Sequence, residues 1–232
     1  MRRLLFTALL CTSFFASSEE TISRWMSDYF KRIHDHIGNE NYEKAEYELE
    51  MGNNNYFRGG RTYEAALLYQ LYGQFYAVQS QYTEAVPWFE KALATDKMPR
   101  IGAQEVRFQL AQTYFMIGKY ENVISLLEEF IRVGERYKYP VSARANLLMS
   151  YSHGRLEQYE PSYYHIKQAN NKSDKPQIDW IEYAFSLAMK LENLDDAEDL
   201  GTRLLFLEPN KKKYWNQVSA LYFAKDFDLN SL

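Results

Sequence analysis

Residues Ala66 to Pro99 read ALLYQLYGQFYAVQSQYTEAVPWFEKALATDKMP. Within this run, Tyr69, Tyr72, Gly73 and Tyr76 recur at helical offsets and so share one stripe of a helix. A second helix carries Ala85, Phe89 and Ala92 on its own stripe, and Pro99 closes the unit. Gly73, Ala85 and Ala92 add little bulk where two helices approach, and Phe89 fills the space between them. A single hairpin of this kind cannot bury its own apolar face. Neighbouring hairpins must therefore exist.

On both sides the same order of large, small and aromatic residues returns. The next hairpin runs from Gln104 to about Tyr137, with Leu110-Ala111, Tyr114, Gly118, Tyr120, Leu127 and Phe130. A fourth starts near Ala143 with Met149-Ser150, Tyr159 and Ala169, and His153 stands where an aromatic is expected. A fifth has Trp180, Tyr183-Ala184, Leu187, Leu194, Ala197 and Leu204, and Trp215, Val218-Ser219 and Tyr222 mark the first helix of a sixth. Upstream, Trp25, Tyr29, Ile33 and Ile37 form a degenerate first helix, Glu43 to Met51 a second, and Asn53-Asn54-Asn55 with Gly59-Gly60 a linker. Pro99, Pro140, Pro176 and Pro209 all fall between hairpins, and Pro87 and Pro161 in or near the first turn of a second helix. A helix hairpin recurring at about 34 residues is the signature of the tetratricopeptide (TPR) repeat. The expected fold is all-α: a TPR-type superhelix, or α-solenoid, of antiparallel hairpins with about five repeats and a final capping helix. The expected borders are 21–58, 62–99, 104–140, 143–176 and 177–210, then a final helix over 211–224.

The first residues, MRRLLFTALLCTSFFASSEE, read as a secretory signal: Arg2-Arg3, an apolar core from Leu4 to Phe15, and small residues Ala16-Ser17-Ser18 for cleavage. The expected division is a signal over 1–18 and a repeat domain over 19–232. The apolar core is too short to span a bilayer, and no integral membrane segment is expected in the remainder. Loss of residues 1–18 removes Cys11, the single cysteine, and leaves 31 acidic against 25 basic residues. That excludes disulfides and thiol catalysis and argues against nucleic acid, which calls for a basic face. The expected location is the periplasm.

Catalytic chemistry is not legible. His34 and His36 stand two apart on a helix and point away from each other, so no metal site is expected. No phosphate loop, G-x-S-x-G elbow or H-E-x-x-H occurs, and neither a cofactor nor an enzymatic activity is expected. Asp195-Asp196 and Glu198-Asp199 read as first-turn acids favoured by the helix dipole, and Lys211-Lys212-Lys213 as a solvated helix start. What remains is surface. Off the packing stripe of the first helices stand Gln70 and Gln74, then Glu105, Phe108, Gln112 and Phe115, then Arg144, Tyr151 and Arg155. Exposed Phe108, Phe115 and Tyr151 beside amides and arginines would make an inner peptide groove, apolar anchors with donors and acceptors for an extended backbone. The alternative is that the three rings pack against neighbouring helices.

Beyond the generic repeat, four runs in order carry a narrower resemblance: NYEKAEYELE, YGQFYAVQSQYTEAVPWFEKAL, FQLAQTYFMIGKYENVI and LLFLEPNKKKYWNQVSALY. With them the chain resembles exported TPR proteins found alongside TonB-type energy-transduction systems of gammaproteobacteria, over most of its length. Members commonly continue past the final tyrosine helix with further repeats, where this sequence reads DFDLNSL. The resemblance implies a periplasmic scaffold that binds a protein partner, an accessory of the TonB–ExbB–ExbD complex in outer-membrane import. Two other roles fit the same residues: an envelope-assembly factor, or a carbohydrate-binding accessory module using surface Tyr and Trp.

Overall fold

A computed structural model describes residues 22–55, 62–175 and 177–229, with backbone alone from 224. The export signal expected over 1–18 lies outside the described residues, as do Gly59, Gly60 and Pro176. Eleven helices and no strand occur among the described residues. They are α1 Arg24–Gly38, α2 Tyr42–Asn55, α3 Tyr63–Val78, α4 Tyr82–Ala94, α5 Arg100–Met116, α6 Tyr120–Tyr137, α7 Ala143–Arg155, α8 Tyr159–Asn171, α9 Ile178–Lys190, α10 Leu194–Leu207 and α11 Lys212–Leu229. The fold is all-α, made of five antiparallel hairpins of the TPR type and one further helix.

Each hairpin turns by the same device. After the first helix of each pair the chain places one residue in the left-handed region: Glu40 (φ 58°), Ser80 (64°), Gly118 (78°), Glu157 (58°) and Glu192 (55°). The amide that follows reaches back to a carbonyl five residues earlier: Asn41 to His36 at 2.8 Å, Gln81 to Tyr76 at 2.9 Å, Lys119 to Tyr114 at 3.0 Å, Gln158 to His153 and Asn193 to Ala188 both at 2.9 Å. This closing bond satisfies a carbonyl that the helix end leaves open and reverses the chain. Only Gly118 is a glycine, so four of the five turns hold a side chain in a strained backbone.

The chain divides into two compact units, residues 1–132 and 133–232. In the first, α3 is buried almost all round, from Ala65 to Phe75, which makes it the central helix of the unit. Thr62 caps it, its hydroxyl accepting from the Ala65 amide at 3.2 Å. The Tyr72 ring stacks on Trp88 of α4 with centroids 4.0 Å apart and planes 10° off parallel. Pro87 lies inside α4, just past its first turn. In the first hairpin Tyr29, Ile33 and Ile37 are buried as expected, with Met26 and Phe30 beside them, but Trp25 is 52% exposed. Asn53-Asn54-Asn55 is not linker: α2 continues through it. Gly52 lets this part of α2 pack close to α1, because a Cβ there would fall 2.6 Å from the Tyr29 hydroxyl. The helix α5 begins at Arg100, ahead of the expected Gln104.

In the second unit, Ser150 of α7 and Ser162 of α8 stand at the close approach where α3 and α4 place Gly73 and Ala85. Each hydroxyl donates to the other's carbonyl, at 2.6 and 2.8 Å, so the polar atoms are satisfied within the packing. Around them Tyr163, Ile166, Ile181, Phe185, Leu204 and Tyr214 form the core. Asp196, in the first turn of α10, is more than a solvated acid. It accepts from Lys167 at 2.8 Å and Tyr163 at 2.6 Å, and these bonds hold its carboxyl below the usual range. Lys213 likewise donates to Glu182 at 2.8 Å and tethers the start of α11 to α9. Helix α11 runs to Leu229, past the expected end at 224.

Candidate functional site

The first unit brings part of the expected surface into one network. Gln70 of α3 donates to Gln109 of α5 at 3.2 Å, and Gln109 donates in turn to Glu105 at 3.4 Å. Gln70 and Gln109 are both 3% exposed. Burial raises the Glu105 carboxyl above its usual range. Gln109 was not among the residues expected from the sequence, because it precedes the packing pair Leu110-Ala111 and reads as a flank of the core stripe. Its neighbour across the helices, Gln70, is the signal that would have found it.

Gln74 is one turn further along α3 and 4% exposed, and its side-chain oxygen is buried with no hydrogen-bond partner. Gln112, on α5, is 7% exposed. So three of the expected surface amides are interior groups, not open ones. For Gln70 and Gln74 the reason is that α3 is enclosed on nearly every face, and its polar side chains share that enclosure. Gln112 lies in the buried run Gln109–Tyr114 of α5.

The aromatic anchors also differ from the free exposure expected of them. Phe108 is half-buried, 5.9 Å from the Phe130 ring of α6, and Phe115 is half-buried, 5.4 Å from Tyr120. In the second unit Tyr151 is half-buried against Tyr183 at 5.1 Å. Burial pushes the Tyr151 hydroxyl up to about 12, with Tyr183 and Asp179 adding to it. All three rings therefore take a neighbour from another helix and stay partly exposed. Arg144 and Arg155 are exposed in the second unit.

The second unit adds a pair that the sequence did not single out together. His153 and His165 stack with centroids 5.6 Å apart and planes 5° off parallel. The His153 Nδ1 lies 2.7 Å from the Gln158 carboxamide oxygen, and the His165 Nδ1 lies 3.3 Å from that of Asn146. Burial lowers the His165 pKa to about 4, helped by His153 and Lys172. Among the described residues no group of three or more His, Cys, Asp or Glu side chains could hold a metal ion. No described helix is long and apolar enough to cross a membrane.

No protein-family model matches the chain, and no curated protein matches it. Solved structures do. YrrB, a TPR protein with an unusual peptide-binding site, is 14% identical with a TM-score of 0.58, over 69% of this chain and 78% of that one. MamA from Desulfovibrio magneticus is 16% identical with a TM-score of 0.60, over 89% of this chain and 99% of that one. A signal-transduction ATPase with a TPR sensor, from Pyrococcus horikoshii, is 18% identical with a TM-score of 0.69, over 86% of this chain and 33% of that one. At these identities the likeness is one of fold, and the fold is that of TPR proteins.

Proposed function

We propose that the chain is a protein-interaction scaffold that holds a segment of a partner along the α3–α5 face of its first unit. The observation that carries this is the Gln70–Gln109–Glu105 network beside two aromatic rings, Phe108 and Phe115, that stay partly exposed. The buried Gln70–Gln109 pair fixes the half-buried Glu105 carboxyl, which offers an acceptor to a partner segment, and the partly exposed rings anchor apolar side chains. YrrB, which carries a peptide-binding site on the same fold, supports this use of it. Arg144, Tyr151 and Arg155 belong to the other unit.

We infer that the partner belongs to the TonB–ExbB–ExbD complex and that the encounter takes place in the periplasm. The four sequence runs and the signal-like residues 1–18 support that reading. The scaffold acts here without chemistry of its own: it orders a partner segment and adds binding area.

The test is capture of purified, detergent-solubilised TonB–ExbB–ExbD by the immobilised chain, beside a Phe108→Ala/Phe115→Ala variant with unchanged helical circular dichroism. Capture by the native chain and its loss in the variant is the expected result. Equal capture by both would sink the face, and capture by neither would sink the partner.

A further inference from the structure

A cleft of about 410 Å³ opens between α1 and α2, on residues that the α3–α5 face does not use. Its walls carry Trp25, 52% exposed, and Tyr47, 64% exposed, with Met51 beside them. Tyr29 forms the floor, tied down by its hydroxyl, which donates to the Glu48 carbonyl of α2. Large aromatic side chains ordinarily avoid such exposure in a repeat whose core is otherwise closed. Both helices place them at one spot.

The charges around the cleft select its occupant. Arg32 is the only cation lining it among the described residues, and it is engaged: Nε and Nη2 donate to the two Glu48 carboxylate oxygens at 3.4 and 3.3 Å. That pair is neutral together. Asp28, exposed on the α1 wall, has no partner among the described residues and so leaves the cleft acidic. On α1 Arg24 stands one turn before Asp28 without lining the cleft, and Lys31 pairs with Asp35. On α2, Glu46 and Glu50 lie toward Tyr72 and Tyr76 of α3 instead. The hairpin already places a cation on an aromatic face here, with the Arg32 guanidinium 5.5 Å from the Tyr29 ring centre.

We propose that this cleft receives a basic side chain, lysine or arginine, from a segment of a partner protein. The aliphatic stem packs on Met51 and the ring faces, and the charged head sits over Trp25 and Tyr47. Asp28 supplies the opposite charge at the rim. A sugar would also stack on Trp25 and Tyr47. It carries no charge, however, so the single open carboxylate gives it no advantage over the many other exposed acids of the chain. The proposal is independent of the α3–α5 face and survives or fails without it.

The test is an NMR titration of the full chain with Nα-acetyl-lysine N-methylamide, against Nα-acetyl-norleucine N-methylamide and chitotriose. The expected result is a saturable shift of the Trp25 indole N–H, with those of Trp88, Trp180 and Trp215 unmoved. Norleucine, which keeps most of the stem and loses the charge, should give none, and Asp28→Asn should weaken the lysine response by about threefold. Trp25→Ala, read on the backbone amides of Asp28 and Tyr47 because the indole is gone, should abolish their lysine-dependent shifts while leaving the remaining amide spectrum in place. Equal responses to lysine and norleucine would overturn the proposal, as would saturation by chitotriose or no response to any of the three. An Asp28→Asn variant that binds lysine as the native chain does would remove the charge argument and overturn it as well.

Discussion

Gly73 of α3 lies against the ring of Phe89 of α4: a Cβ built on Gly73 falls 2.6 Å from both Cδ1 and Cε1. The ring is fully buried and cannot swing away. Gly73→Ala would gain about 1 kcal/mol of helix propensity, but the overpacking costs about 1–3 kcal/mol. The clash wins, and urea unfolding should show a net loss of about 1 kcal/mol. Gly102 in α5 is the control. A Cβ there meets only the Met98 methyl at 3.9 Å, so Gly102→Ala should stabilise. Equal effects at the two sites would contradict this view of the hairpin.

The repeated left-handed turns give a second expectation. At Gly118 a Cβ meets nothing within 4 Å, so the cost of Gly118→Ala is backbone strain alone, about 1 kcal/mol. Glu157 already bears that strain at φ 58°. Glu157→Gly should relieve it, less the extra entropy glycine gives the unfolded chain, for a gain of up to about 1 kcal/mol. Thermal melts of both variants check the pair of signs. A destabilised Glu157→Gly would mean that the Glu157 side chain contributes more than its backbone costs.

The His153–His165 stack makes stability depend on pH. The folded His165 pKa is near 4, against an ordinary 6.5 in the unfolded chain. Between those values the unfolded state binds the extra proton. Stability from this group is therefore complete above about pH 6.5 and is lost as pH falls toward 4, with a slope of at most about 1.4 kcal/mol per pH unit. Urea midpoints at pH 7, 6, 5 and 4.5 should fall for the native chain and fall less for His165→Gln. Parallel profiles would refute the assignment.

Gln74 offers a test of a different kind, since its buried oxygen has no partner. Leaving such an atom unpaired costs about 1–3 kcal/mol. Gln74→Met keeps the volume and removes the atom, so it should raise stability by about 1 kcal/mol. If Gln74 serves the proposed face, the same variant should bind the partner less well. A less stable Gln74→Met would show that the carboxamide is satisfied in solution.

Much of the fold was legible because it rests on volume. Gly73, Phe89, Ala85 and Ala92 announce a close helix pair by size alone, and Pro99, Pro140 and Pro209 fall between described helices as read. The turns were legible as turns, but their conformation was not: Glu40, Ser80, Glu157 and Glu192 adopt a backbone that sequence reading reserves for glycine, held by the following amide's bond. Nor was the extent of α2, whose asparagines look like loop until Gly52 is seen against Tyr29. The site was read one step too openly. Spacing places Gln70, Gln74 and Gln112 off the packing stripe, but it does not reveal that α3 is enclosed on its other faces too, or that α5 is buried all round from Gln109 to Tyr114. Trp25 shares the helical spacing of Tyr29, Ile33 and Ile37, but spacing does not reveal that it alone of the four is exposed, at 52%.

A partner segment lying on the α3–α5 face would shield its amides, so hydrogen exchange with and without purified TonB–ExbB–ExbD reads out the proposed contact. Exchange should slow in and around 66–78 and 104–116, and the effect should vanish in Phe108→Ala/Phe115→Ala. Protection confined to other segments, or none at saturating complex, would contradict the proposed face.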